Sequence, residues 1–234
     1  MTRRIVVTGP LNSLAEYADA ARAQGWEPIL FPLLEIRHRI VHLTLELDRA
    51  PDWLCVTSAN ALRSIEENKD NLLEVPCATV GWISSRHLQK LGFRVPLDGL
   101  ASAAALADAL LALPAPPRLV LWPRGSMSDE LGRLLAARGV EVCQPIVYET
   151  SERADTGPFP AAEAIFFASP SAVRAHSRRV ARGEPAAAVA IALGPTTLRA
   201  LQSAETHFFP RVLALDHPLP AELGQILVGL ELER

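Results

Sequence analysis

Lysine is almost missing from this chain: of its 23 basic residues only Lys69 and Lys90 are lysines, and the rest are arginines. Base composition of a genome produces such a bias. So does a need for planar guanidinium forks that grip carboxylates or phosphates. Cysteine is also scarce, with Cys55, Cys77 and Cys143 and no C-x-x-C pair, which excludes a disulfide framework and a zinc site. Three free, buried thiols in a reducing compartment are expected. No charge sign dominates, since the net charge is −3, and this excludes broad nucleic-acid binding while leaving room for a local basic site. Long apolar runs are lacking too. The run in "MTRRIVVTG" is too short for a signal peptide, and "LASAAALADALLAL" (100–113) is shorter than a membrane span and contains Asp108. The latter reads as a helix with one buried face, and the expected location is the cytoplasm, with no membrane partner.

Motifs for common chemistries are absent as well. There is no G-x-G-x-x-G, no P-loop and no G-x-S-x-G elbow, so neither nucleotide binding nor that kind of acyl transfer has direct support. His38 and His42 are four apart, but Arg37 and Arg39 flank them in a strand-like stretch, where that spacing does not converge on a metal. His87, His176, His207 and His217 have no partner pattern. Trp26, Trp53, Trp82 and Trp122 read as core or cleft-edge residues, "EENKDN" (66–71) as a surface loop, and Arg178, Arg179 and Arg182 as a solvated helix face. Neither a metal nor a cofactor is expected.

What is present is a duplicated α/β pattern. "RIVV" (4–7) is a short β-branched run typical of a buried parallel strand. A helix follows, with Leu14, Tyr17, Ala18 and Ala21 on one face and Gly25 as its stop, and then "WEPILFP" as the next strand. The same order returns at 118–147, with "RLVLW", a helix stopped at Gly139, and "VEVCQPIVY", an offset of 114 from Arg4 to Arg118. A second kind of unit also occurs twice. "DWLCVTSANALRSI" (52–65) matches "AIFFASPSAVRAH" (164–176) at an offset of 111, and "ATVGWISSRHL" (78–88) matches "IALGPTTLRAL" (191–201) at 113. Recurrence at nearly one offset argues for internal duplication. The expected fold class is therefore α/β, with two homologous domains, each a mostly parallel sheet flanked by helices.

The units run A–B–A–B, which allows two wirings. In one the boundary lies near 115, at "LPAPPR". In the other the first A joins the last B, and the chain crosses between domains at "PLLEIRHRI" (32–40) and "PIVYETSER" (145–153). The two crossings would then pair as a small ladder, giving a hinged molecule with a cleft.

Ligands of parallel α/β sheets bind beyond the carboxyl ends of the strands, where helices begin and their first N–H groups lack partners. Thr57, Ser58, Ser169, Ser171, Thr196 and Thr197 sit at such starts, and Pro170 and Pro195 suit a first helical turn. Gly81 and Gly194 leave room for close approach to the backbone. Each hydroxyl could simply cap its own helix. Taken together, the four turns suit a ligand with many carboxylates.

The motifs "VTSANAL", "TVG…SSRHL", "PIVYET", "FFASPSAV" and "ALGPTTLRAL", in this order, resemble the uroporphyrinogen-III synthase family over nearly the whole chain. The resemblance implies the interleaved wiring: residues 1–34 with 151–234 as one domain, 39–144 as the other, and a two-stranded linker from 35–38 and 145–150. It implies an active site in the cleft between them. The implied reaction is cyclisation of hydroxymethylbilane, a linear tetrapyrrole with eight carboxylates, with inversion of the last ring and loss of water, by a monomer that needs no cofactor. By the same resemblance Tyr148 stands nearest the chemistry. Thr196, Thr197, Ser169, Ser171 and Ser58 match the family's hydroxyl-bearing turns, and Ser84 falls where Thr is common. One departure stands out. Where the family's first strand ends in Thr-Arg-Pro, this chain has Thr8-Gly9-Pro10, so the missing contact must be lost or supplied elsewhere, for example by Arg124 in the equivalent turn. A non-catalytic two-domain binding or regulatory protein for a polycarboxylate shares the cleft but leaves Tyr148 unexplained.

Overall fold

The computed structural model describes residues 2–9, 11–45, 47–153, 157–184, 187–203 and 208–232. Pro10 and His207, noted above, lie outside the described residues. The elements in order are β1 (Arg4–Thr8), α1 (Leu11–Ala23), β2 (Glu27–Leu30), β3 (Leu34–His38), β4 (Trp53–Val56), α2 (Leu62–Glu67), β5 (Cys77–Val80), α3 (Trp82–Lys90), β6 (Leu97–Leu100), α4 (Ala103–Leu111), β7 (Leu119–Leu121) and β8 (Arg124–Gly125). They continue with α5 (Glu130–Ala136), β9 (Glu141–Cys143), β10 (Ile146–Glu152), β11 (Ala164–Phe167), α6 (Pro170–Val180), β12 (Val189–Ala192), α7 (Pro195–Gln202), β13 (Arg211–Ala214) and α8 (Pro220–Leu232).

Two compact units result, residues 1–35 with 151–234 and residues 36–150. The first holds a five-stranded sheet in the order β13-β12-β11-β1-β2, the second one in the order β6-β5-β4-β7-β9, and the pairings within both are parallel. β1 thus pairs with β11, about 160 residues away in sequence, so the wiring is interleaved. Both sheets are covered on both faces, as the unbroken apolar runs require. In the first unit Val6, Ile165 and Phe167 face one core while Ile5, Val7 and Phe166 face the other. In the second, Leu54, Val56 and Cys77 face one core while Cys55, Ala78 and Val120 face the other.

The duplication reaches down to single hydrogen bonds. Gly25 and Gly139 stop their helices at φ +75° and +81°, and the N–H groups of Trp26 and Val140 close on the carbonyls of Ala21 and Leu135. At the amino ends of the strands, Glu163 accepts from the Arg4 N–H at 2.7 Å, and its counterpart Asp52 accepts from the N–H groups of Arg118 and Leu119 at 2.7 and 2.9 Å. The Leu119 N–H, above all, holds the Asp52 carboxyl below its usual range, against the opposing effect of partial burial. Asp52→Ala is expected to cost about 1–3 kcal/mol, because two strand-start donors lose a charged acceptor. Since the native pKa is depressed, this contribution is present at neutral pH and fades as pH falls through it. Urea titrations at pH 7 and at low pH check both the size and the direction.

Between the sheets in sequence runs a third one, β3-β10-β8. The Arg39 N–H donates to Val147 and the Arg153 N–H to Leu33, an antiparallel register for β3 and β10. "VEVCQPIVY" is accordingly two strands rather than one. Pro145 separates β9, at the sheet edge, from β10, which leaves for the small ladder.

Three local readings need correction. Leu100 belongs to β6, and the alanine-rich helix starts after Ser102, whose Oγ accepts from the Ala105 N–H. Residues 66–71 form helical turns, with Asn68 buried and bridging Val41, Leu43 and Ser64. Arg179 is only 15% exposed: it pairs with Glu184 at 2.7 Å, donates to the Gly157 carbonyl and lies over Phe31, while Arg178 pairs with Glu152. The cysteines are free, though Cys143 is only half-buried. Among the described residues no helix is long and apolar enough to cross a membrane.

Candidate functional site

All four hydroxyl-bearing turns follow the carboxyl ends of parallel strands, where α/β sheets present their ligand sites. Their hydroxyls fall into two classes. Some are already used locally. Ser169 Oγ accepts from the Ala172 N–H at 3.2 Å and Ser58 Oγ from the Asn60 N–H at 3.3 Å, so both cap their helices. Thr57 Oγ1 accepts from Trp122 Nε1 at 3.0 Å, and Ser171 Oγ from Arg174 at 3.2 Å.

Ser84 and Thr197 form the second class. Each stands three residues after its turn glycine, each is 3% exposed, and each is a buried hydroxyl on the inner side of a first helical turn. Thr196, beside Thr197, is exposed. Gly81 adopts φ +76° with open space where a side chain would be, a position that only glycine fills without strain. Gly194 is extended at φ −178° and also faces open space, so any residue would fit its backbone.

Tyr148 projects from β10 on a different footing from the chain's other tyrosine. Tyr17 stacks on Phe166 and donates to the Pro218 carbonyl at 2.8 Å, and burial pushes its phenol up to about 12, with smaller contributions from Glu16 and Glu222. It is a structural group. Tyr148 is half-buried against the core of the second unit, 6.5 Å from the His38 ring, and its hydroxyl has no hydrogen-bond partner among the described residues.

Arg124 is not in a turn but opens β8, three residues after β7, in register with Ile146 of β10. Its Nε donates to Gln144 at 3.0 Å and its Nη1 to the carbonyls of Gly125 and Ser128, so much of its donor capacity holds its own loop. Gly9, where the family pattern has arginine, has φ +150°. A Cβ there would stand 3.0 Å from Ala168 Cβ and from Leu14 Cδ2. The glycine is therefore dictated by its surroundings, and a side chain cannot simply be restored to it.

Sequence reasoning missed the pair Trp82 and Arg86 on the first turns of α3. Trp82 and its neighbour Ile83 are 37% and 52% exposed, and the Arg86 guanidinium lies 4.8 Å above the Trp82 ring. Arg86 has no carboxylate partner among the described residues. A flat apolar face carrying a cation suits an aromatic ring that bears a carboxylate. The only signal in the sequence was a tryptophan directly after a turn glycine. No group of three or more metal-ligating side chains occurs among the described residues.

Residues 15–208 match the family model described as uroporphyrinogen-III synthase HemD. The fold is similar to that of a uroporphyrinogen III synthase mutant from Thermus thermophilus, with a TM-score of 0.67 at 18% identity and 97% of each chain covered. It is also similar to the uroporphyrinogen-III synthetase of Helicobacter pylori, with a TM-score of 0.63 at 20% identity over 97% of this chain and 99% of that one. No curated protein matches by sequence. At such identities the structural likeness speaks to the fold alone.

Proposed function

The chain belongs to the uroporphyrinogen-III synthase family, and from that premise we propose how its own residues carry out the cyclisation of hydroxymethylbilane. Tyr148 is the group proposed to act on the substrate, because it is the one tyrosine whose hydroxyl no other described group engages. A phenol is a weak acid that still donates a proton when held in place. Donation to the hydroxyl of the hydroxymethyl group lets the C–O bond break and water leave. The resulting azafulvene cation is attacked by the substituted carbon of the last ring, giving a spiro intermediate. Selecting that carbon over the simpler closure is chiefly a matter of positioning.

Positioning falls to the turns. We assign substrate carboxylates to the helix starts bearing Thr57, Ser58, Gly81 and Ser84 in one unit and Ser169, Ser171, Gly194, Thr196 and Thr197 in the other. The Arg86–Trp82 pair is a further contact of the same kind, and Arg124 contributes what its loop leaves available. The working division into domains remains 1–34 with 151–234 and 39–144, linked by 35–38 and 145–150. The proposed enzyme is a cytoplasmic monomer that uses neither cofactor nor nucleic acid.

The family match, together with the unengaged phenol, carries this reading. Its test uses hydroxymethylbilane made enzymatically, with products oxidised and separated by chromatography. Unaided closure gives the symmetric type I isomer. The parent chain should give mostly type III, faster than the enzyme-free rate. Type I alone, at the enzyme-free rate, would overturn the proposal.

A further inference from the structure

Gly125 is buried on β8, beside Tyr148 in the strand register, and the ladder is irregular at this point. Its φ is not positive, so the backbone does not demand glycine there. What demands it is the tyrosine. A Cβ built on Gly125 would lie 2.5 Å from Cε2 and Cζ of Tyr148 and 2.8 Å from its hydroxyl oxygen. The missing side chain is thus the seat of the phenol. The seat is fixed on both sides of the ladder: the Arg124 N–H donates to Pro145, the Ser126 N–H to Tyr148, and Arg124 Nη1 to the Gly125 carbonyl.

We propose that Gly125 is a positioning residue for the cyclisation, setting where the Tyr148 hydroxyl stands. The inference rests on the proton-donor reading of Tyr148 given above. The clash created by a methyl group falls on the far end of a side chain with two rotatable bonds, not on backbone. Gly125→Ala should therefore displace the phenol while leaving the fold nearly as stable as before.

The test is a cycle of Gly125→Ala, Tyr148→Phe and the double variant, assayed on hydroxymethylbilane, with melting temperatures for each. Tyrosine-ring 13C labelling adds a direct readout, because the chain has only 2 tyrosines and Tyr17 serves as the internal control. Gly125→Ala should lower kcat roughly tenfold to hundredfold, the scale of an ångström-sized misplacement. The Tyr148 ring signal should move, and that of Tyr17 should not. In the Tyr148→Phe background the same methyl should cost almost nothing further. An equal loss in both backgrounds, or an unmoved Tyr148 signal, overturns the proposal. If Tyr148→Phe alone leaves kcat intact while the ring signal still moves in Gly125→Ala, the donor role falls instead. If the parent chain itself makes no type III product, the synthase reading falls.

Discussion

Replacing Tyr148 by phenylalanine is expected to lower kcat at least about tenfold with KM nearly unchanged, because an acid that acts only in the transition state is removed while the ring stays. The effect should appear equally in kcat/KM. The ring packs against the core of the second unit, and the hydroxyl has no partner among the described residues to lose, so the melting temperature should barely change. Product analysis adds a second reading. Slow release of water gives unaided closure more time, so the type I share should rise when enzyme is limiting. A variant with the parent's kcat and the parent's isomer ratio would remove Tyr148 from the mechanism. Tyr17→Phe is the matching control: it should cost stability through the lost bond to Pro218 and leave the isomer ratio alone.

The second large effect concerns stability in acid. His176 on α6 is fully buried, enclosed by Phe159, Phe167 and Phe209 at ring distances of 4.6, 5.4 and 5.5 Å, and neither ring nitrogen has a hydrogen-bond partner among the described residues. Burial lowers its pKa from 6.5 to about 4, with Glu184 opposing the shift and Arg179 adding to it. The native state therefore resists a proton that the unfolded chain takes up near 6.5. Stability from this site is complete above that pH and is lost as pH falls towards 4, by on the order of 3 kcal/mol in all. His176→Leu keeps the volume and cannot be protonated. It gives up ring contacts worth about 0.5–1.5 kcal/mol but also relieves two unpaired buried nitrogens, so the change at pH 7 should be small. Between pH 7 and 4.5, however, the variant should lose markedly less stability than the parent in urea titrations. Parallel pH profiles for the two proteins would show that His176 takes up its proton without unfolding.

Much of the candidate site was legible because a helix start is a local event. A strand, a glycine or serine, a proline and an amphipathic run announce themselves within a dozen residues, and Ser58 and Ser169 indeed stand at such starts. What each hydroxyl does was not legible. Thr57 is engaged by Trp122, 65 positions away, and Arg124 by Gln144, 20 positions away. Thr196 and Thr197 are adjacent and chemically identical, yet helical geometry exposes one and buries the other.

By itself the sequence determined the elements, their order and the twofold repeat. Unbroken β-branched runs bury both faces of a strand, apolar residues three and four apart make one helix face, and an offset of 111 to 114 persists through three matched pairs of segments. These are properties of neighbouring residues, and they survive without knowledge of what lies opposite. The tertiary structure alone decided which strand pairs with which. β1 lies beside β11 rather than β4, and no residue in "RIVV" records that choice, because both candidates present the same apolar faces. It likewise decided that Gly125 lies under Tyr148, that Asn68 is buried under the segment following β3, and that His176 sits among three phenylalanines. Each of these depends on the distance between atoms remote in sequence, which the long-range closure of the two sheets sets and local pattern does not.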